Sequence, residues 1–169
     1  MCIRDRNYRA GESGGESFNR FGISRGYINI RHTLNDRWSG RITPDVTIDQ
    51  SGDAKVRLKY AYGDVKFGDA GVLTSPHMEM GIVHRPWLDY EQKMNGYRSQ
   101  GTMFLERNGL FNSADFGLTF FGLLGGEVDE SYQDAVSSAY PGRYGSFAIG
   151  VYNGAGYNEL ENNENKTIE

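Results

Sequence analysis

The chain has 169 residues, 38% hydrophobic and 24% charged, with a formal net charge of −4. That fits one compact domain or part of a larger one, and it is too apolar for a disordered tail. A mean hydropathy of −0.60 and the lack of any apolar run near ~18 residues exclude a helical membrane protein. A membrane barrel is not excluded, because only alternate residues of its strands meet lipid. Glycine supplies 23 residues and the aromatics 11 Tyr, 9 Phe and 2 Trp, a pairing that favours turns and strands. The single cysteine, Cys2, forms neither an internal disulfide framework nor a cysteine-based zinc site. The acidic balance, without a basic block, argues against a nucleic-acid partner.

Residues 1–6 (MCIRDR) read as a gene-model artefact outside the fold, and 7–17, rich in Gly, Ser and Glu, as a flexible lead-in. The domain starts near Phe18 and runs to 169. From Phe21, FGISRGYINIRHTL carries Ile28, Ile30 and Leu34 on even positions and Arg25, Tyr27, Asn29, Arg31 and Thr33 on odd ones. A three-residue turn at Asn35-Asp36-Arg37 pairs Leu34 with Trp38 and Ile30 with Ile42; a two-residue turn would swing the arginines onto the apolar face. In RWSGRITPDVTID, from Arg37, no charge falls on the even positions Trp38, Gly40, Ile42, Pro44, Val46 and Ile48. This period of two marks a strand with one apolar and one wet face. The next segment repeats it, with Ala54, Val56, Leu58, Tyr60 and Tyr62 against Lys55, Arg57 and Lys59.

A turn at Gln50-Ser51-Gly52 then sets Val46 opposite Val56, Pro44 opposite Leu58, Ile42 opposite Tyr60 and Gly40 opposite Tyr62. On the other face it sets Asp45 against Arg57, an expected ion pair, and Thr43 against Lys59. Looser alternation recurs at 77–85, 114–124 and 145–153, making six strands. DESYQDAV (129–136) reads as a short helix with Asp129 as N-cap, 153–166 as a polar loop, and 166–169 as the start of a seventh strand. The first three strands span about 11–14 residues, against ~5–6 in soluble sheets and ~9–11 for a tilted bilayer strand. Trp38, Tyr60 and Tyr62 are expected at one height, as an interfacial girdle, with Tyr62 covering Gly40. Pro44, inside a strand, removes a ladder hydrogen bond and counts against both a barrel and a sandwich; either it sits at a bulge or the lipid-crossing part is shorter than the alternating run.

The segments RGYINIRHTLNDRWSGRITPDVTID, VRLKYAYGDVKFG, GIVHRPWLDYEQKMNGYRSQGTMFLERNGLFNSADFGLTFFG and GSFAIGVYNGAGY resemble bacterial outer-membrane porins of the phosphate-selective porin O and P type. The resemblance covers about 18–160. It implies an all-β, antiparallel transmembrane barrel of about sixteen strands, of which this chain supplies an incomplete N-terminal part of about six. It further implies a passive diffusion channel for small hydrophilic solutes, of a type that prefers anions or phosphate. Such a channel sits in outer-membrane lipid, forms a homotrimer at full length, and needs no cofactor.

If even side chains face lipid, Arg25, Arg31, Arg41, Lys55, Arg57 and Lys59 border the lumen with Asp45 as the main acid, a wall that either attracts anions or only solvates the lumen and pairs with acids from further strands. RPWLDYEQKMNGYRS (85–99) either folds inward and narrows the pore or stays a surface loop. Its charged candidates are Arg85, Asp89, Glu91 and Arg98, joined by Glu106 and Arg107. No phosphate loop, metal-spaced His pair or nucleophile elbow appears, so no catalytic or metal site is expected. The competing reading is a secreted β-sandwich that binds glycans or acts as an adhesin, with the even faces forming its core.

Overall fold

Period-two alternation becomes one antiparallel sheet in chain order. The computed structural model describes residues 26–49, 51–96, 103–136 and 138–169. Arg25, Arg98 and the 1–17 lead-in lie outside them. The strands are β1 (Gly26–Tyr27), β2 (Ile30–Thr33), β3 (Trp38–Ile48), β4 (Ala54–Lys66), β5 (Leu73–His84), β6 (Ala114–Leu124), β7 (Gly145–Tyr152) and β8 (Thr167–Ile168). Three helices, α1 (Pro86–Met94), α2 (Phe104–Arg107) and α3 (Glu130–Ala135), occupy the longer connections. The sheet order is β1-β3-β4-β5-β6-β7-β8, with β2 also on β3. The first expected strand is thus two collinear pieces, and a short β8 forms at 167–168. Among the described residues β1, β2 and β8 are edges.

The β2–β3 register follows the expected turn: Ile30 faces Ile42, and the Leu34 amide donates to the Trp38 carbonyl at 2.9 Å. Asn35 Oδ1 accepts from the Arg37 and Trp38 amides, both at 2.9 Å, which closes the turn. In the β3–β4 hairpin Val46 faces Val56, Pro44 faces Leu58 and Asp45 faces Arg57. Beyond Pro44 the register shifts: Thr43 faces Tyr60, Ile42 faces Ala61 and Gly40 faces Gly63. The expected Ile42–Tyr60, Gly40–Tyr62 and Thr43–Lys59 pairs are therefore corrected by a bulge that takes up Lys59. Its position explains the proline, which has no N–H to give the ladder.

One residue of slip exchanges faces, so from the bulge onward Ala61, Gly63 and Val65 join the apolar side while Tyr60 and Tyr62 turn to the polar side. The expected Trp38–Tyr60–Tyr62 girdle is overturned for the same reason. Instead, Trp38, Val65, Met78, Phe120 and Ile149 form one row across five strands. Phe67 and Phe147 lie 6.2 and 5.9 Å from Phe120, so aromatics gather at that end of the sheet.

The apolar face, including Ile42, Leu58, Leu118 and Val151, is 44–49% exposed at these positions, and Trp38 and Val56 are exposed as well. Among the described strand residues from β2 through β8, no Asp, Glu, Lys or Arg stands on it. The opposite face carries Thr43, Asp45 and Thr119, each at 0–1% exposure, and buried Lys59, Glu79 and Asp115. Beside these polar groups the covered side also buries Tyr60, Phe121 and Tyr152 and the α1 residue Leu88. What sets this sheet apart from an ordinary half-wet one is therefore its exposed face, which is apolar where a wet face is usually polar. No described helix is long and apolar enough to cross a membrane.

Candidate functional site

The polar face is built by the same alternation that builds the apolar one, and three connections fold over it. Asp45 and Arg57 make the expected pair, with Arg57 Nε and Nη2 each 3.1 Å from Asp45 Oδ2. Lys59 donates to Ser113 Oγ, which in turn donates to Glu106 Oε1 at 2.7 Å, and its ammonium lies 4.0 Å from the Tyr157 ring centroid. Lys55 extends to Asp49 at the hairpin turn, 2.7 Å away. That ammonium, with the turn amides, holds the Asp49 carboxyl below its usual range.

Arg31 and Arg41 stand directly opposite each other on β2 and β3. Arg41 donates to Asn29 Oδ1 at 2.7 Å and Thr43 Oγ1 at 3.0 Å and covers Tyr60 at 4.5 Å. Among the described residues neither arginine forms an ion pair.

The 85–99 stretch, read as a loop, contains α1. Pro86 at the first helical position presets φ, Asp89 suits the first turn and Lys93 the last. The helix lies against the sheet's polar side. His84 Nε2 is 2.9 Å from Asp89 on α1, while His84 Nδ1 is 3.0 Å from Glu79 on β5. Glu169, beyond β8, accepts from Arg85 Nε at 2.8 Å and from the Trp87 amide at 2.9 Å. Arg85 is itself buried over Phe111 and Tyr152. From the β6–β7 connection, Tyr140 Oη donates to the Pro86 carbonyl at 2.6 Å. Burial pushes the Tyr140 phenol up, with Asp89 adding to the shift, so it stays a donor.

The remaining loop candidates separate. Glu91 Oε1 accepts from the Phe104 amide at 2.6 Å and joins α1 to α2, and Glu106 belongs to the Lys59 network. Arg107 is exposed at the end of α2. The structure thus gathers Asp45, Arg57, Lys59 and Glu106 on one part of the face, and Arg85 and Asp89 on another. Sequence reasoning missed Glu79, His84, Tyr140 and Glu169 as binders of α1. Glu79 and His84 were legible as polar groups in a strand, but nothing in the spacing showed that a helix would return to them. Among the described residues no group of three His, Cys, Asp or Glu is arranged for a metal ion.

Compared with family models, curated proteins and solved structures, the chain matches none of them.

Proposed function

We propose that this chain builds part of the wall of a transmembrane β-barrel in a bacterial outer membrane. The barrel works as a passive diffusion channel for small hydrophilic solutes. The carrying observation is the exposed face: among the described strand residues it is an apolar surface without Asp, Glu, Lys or Arg, open to the surroundings, and the face behind it buries Thr43, Asp45, Lys59 and Glu79 together with Tyr60 and Phe121. In water such a face costs about 25 cal/mol per Å² of apolar surface left exposed, whereas hydrocarbon removes that cost and forbids charge. Strands of 11, 13, 12 and 11 residues in β3 to β6 meet the ~9–11 that a tilted crossing needs.

A β-sandwich would enclose this face in its core, and the exposure of Ile42 and Leu118 weighs against that alternative. Unpaired strand edges are not tolerated in a bilayer, so further strands cover β1, β2 and β8 in the complete barrel, about sixteen in all and trimeric in this reading. The lumen takes its sign on the β2–β3 side from Arg31 and Arg41, since Lys55, Arg57 and Lys59 already face carboxylates, and this favours anions, phosphate among them. The inward helix α1 narrows the passage. The test is fractionation followed by liposome swelling on the protein encoded by the complete gene. It is expected in the outer-membrane detergent extract and to make liposomes permeable to small sugars. A soluble product, or liposomes that stay sealed, would overturn the proposal.

A further inference from the structure

A cavity of about 440 Å³ lies between the polar face of β5 and β6, the helix α1 and the 138–141 segment, within the roughly 300–1,000 Å³ usual for small-molecule sites. Its charges are unbalanced. The carboxylates of Glu79, Asp89 and Glu127 line it, against the ammonium of Lys93 and the rings of His77 and His84. Lys93 is drawn to Ser138 Oγ at 2.8 Å. His77 is stacked on Phe121 at 4.8 Å, with Nδ1 3.2 Å from the Ser75 carbonyl. The three carboxylates thus face one ammonium and the His84 ring, which lies 3.0 Å from Glu79 and 2.9 Å from Asp89.

Glu79 is the deepest of the acids, with its side chain 8% exposed. Its Oε2 lies 3.0 Å from His84 Nδ1 but out of line for a hydrogen bond. A buried carboxylate oxygen without a directed donor is costly, and a ligand N–H aimed at it recovers that cost. Leu123, Ala139 and Pro141 make the rest of the lining apolar.

We propose that this cavity binds a small organic cation, a primary ammonium that donates to Glu79 and Asp89 while its apolar body rests against Leu123 and Pro141. The site is opposite in sign to the Arg31–Arg41 wall and lies on other strands. It stands whether or not the barrel conducts, since binding is read in detergent without any membrane current.

The full chain, folded in a nonionic detergent, is titrated with benzylammonium chloride and separately with benzyl alcohol, using saturation-transfer NMR. Saturable benzylammonium binding is expected, at least tenfold tighter than benzyl alcohol. The double variant Glu79→Gln, Asp89→Asn should weaken it at least tenfold, and Asp53→Asn, on the β3–β4 turn, should leave it unchanged. Equal binding of benzyl alcohol, no saturation, or an unaffected double variant overturns the assignment. Should the double variant not fold by circular dichroism, Asp89→Asn alone decides: at least a threefold loss supports the site, and no loss overturns it.

Discussion

Replacing Leu118 by arginine separates a lipid-facing strand from a solvent-facing one. Leu118 is 47% exposed and sits on β6 between Met80 of β5 and Val151 of β7. It is four residues from Ala114 and six from Leu124, the ends of β6. At about 3.4 Å per residue and a tilt near 45°, this places it about 10 and 14 Å from the strand ends, close to the middle of a ~25 Å apolar band. Arginine at that depth costs about 2–4 kcal/mol, roughly a thirty- to several-hundred-fold shift in the folding equilibrium. In water the same exchange at a half-exposed position stays within about ±0.5 kcal/mol. Ile48, the last residue of β3, is the depth control, and Ile48→Arg should cost no more than ~1 kcal/mol. Urea titrations of protein folded into phospholipid vesicles, followed by tryptophan emission and heat-modifiable gel mobility, read both variants. Equal midpoints for wild type and Leu118→Arg would refute the reasoning.

Reversal potentials in a salt gradient should move toward cation preference when Arg31 and Arg41 are replaced by serine together, and much less for Lys55→Ser, whose charge already meets Asp49; no movement for the arginine pair would remove the anion claim. Gly81→Ala should lower the unfolding free energy by about 1–3 kcal/mol, read from the urea midpoint, because φ is +129° there and a Cβ would strike the Ala61 carbonyl. Asp45→Ala is expected to cost about 1–3 kcal/mol, discounted because Arg57 keeps partial access to solvent; a double-mutant cycle with Arg57→Ala isolates the pair. In an NMR titration Lys55→Met should let the Asp49 carboxyl climb back toward its ordinary value of 3.8. Because folding lowers that pKa, the turn's contribution is present at neutral pH and fades as pH falls through the lowered value.

The alternation of Ile42, Val46, Val56 and Leu58 against Asp45 and Arg57 was legible because a half-polar strand has no other way to sort its side chains. The β2–β3 turn was legible too, since a two-residue turn would have moved Arg31 onto the apolar face. The bulge was missed although its trace is in the sequence. Lys55 and Arg57 are charged on odd positions and Asp64 and Lys66 on even ones, so the charge changes sides between them and Pro44 marks where. Helix α1 was missed because Pro86, Asp89 and Lys93 are terminal signals without an apolar stripe between them. Its place on the polar face depends on His84 just before it and on Tyr140 and Glu169, which are distant in the chain. Tertiary contacts of this kind leave no period to read.

The central claim is that the apolar face meets hydrocarbon and the polar face meets water. Spin labels on single cysteines, introduced after Cys2→Ser, at Leu58, Leu118 and Val151 and at Lys55, Asp64 and Ser146, test it by power saturation in vesicles. The account predicts high oxygen and low nickel-chelate accessibility at the first three and the reverse at the others. Labels at Leu58, Leu118 and Val151 that meet the nickel chelate as freely as those at Lys55 and Asp64 would contradict it.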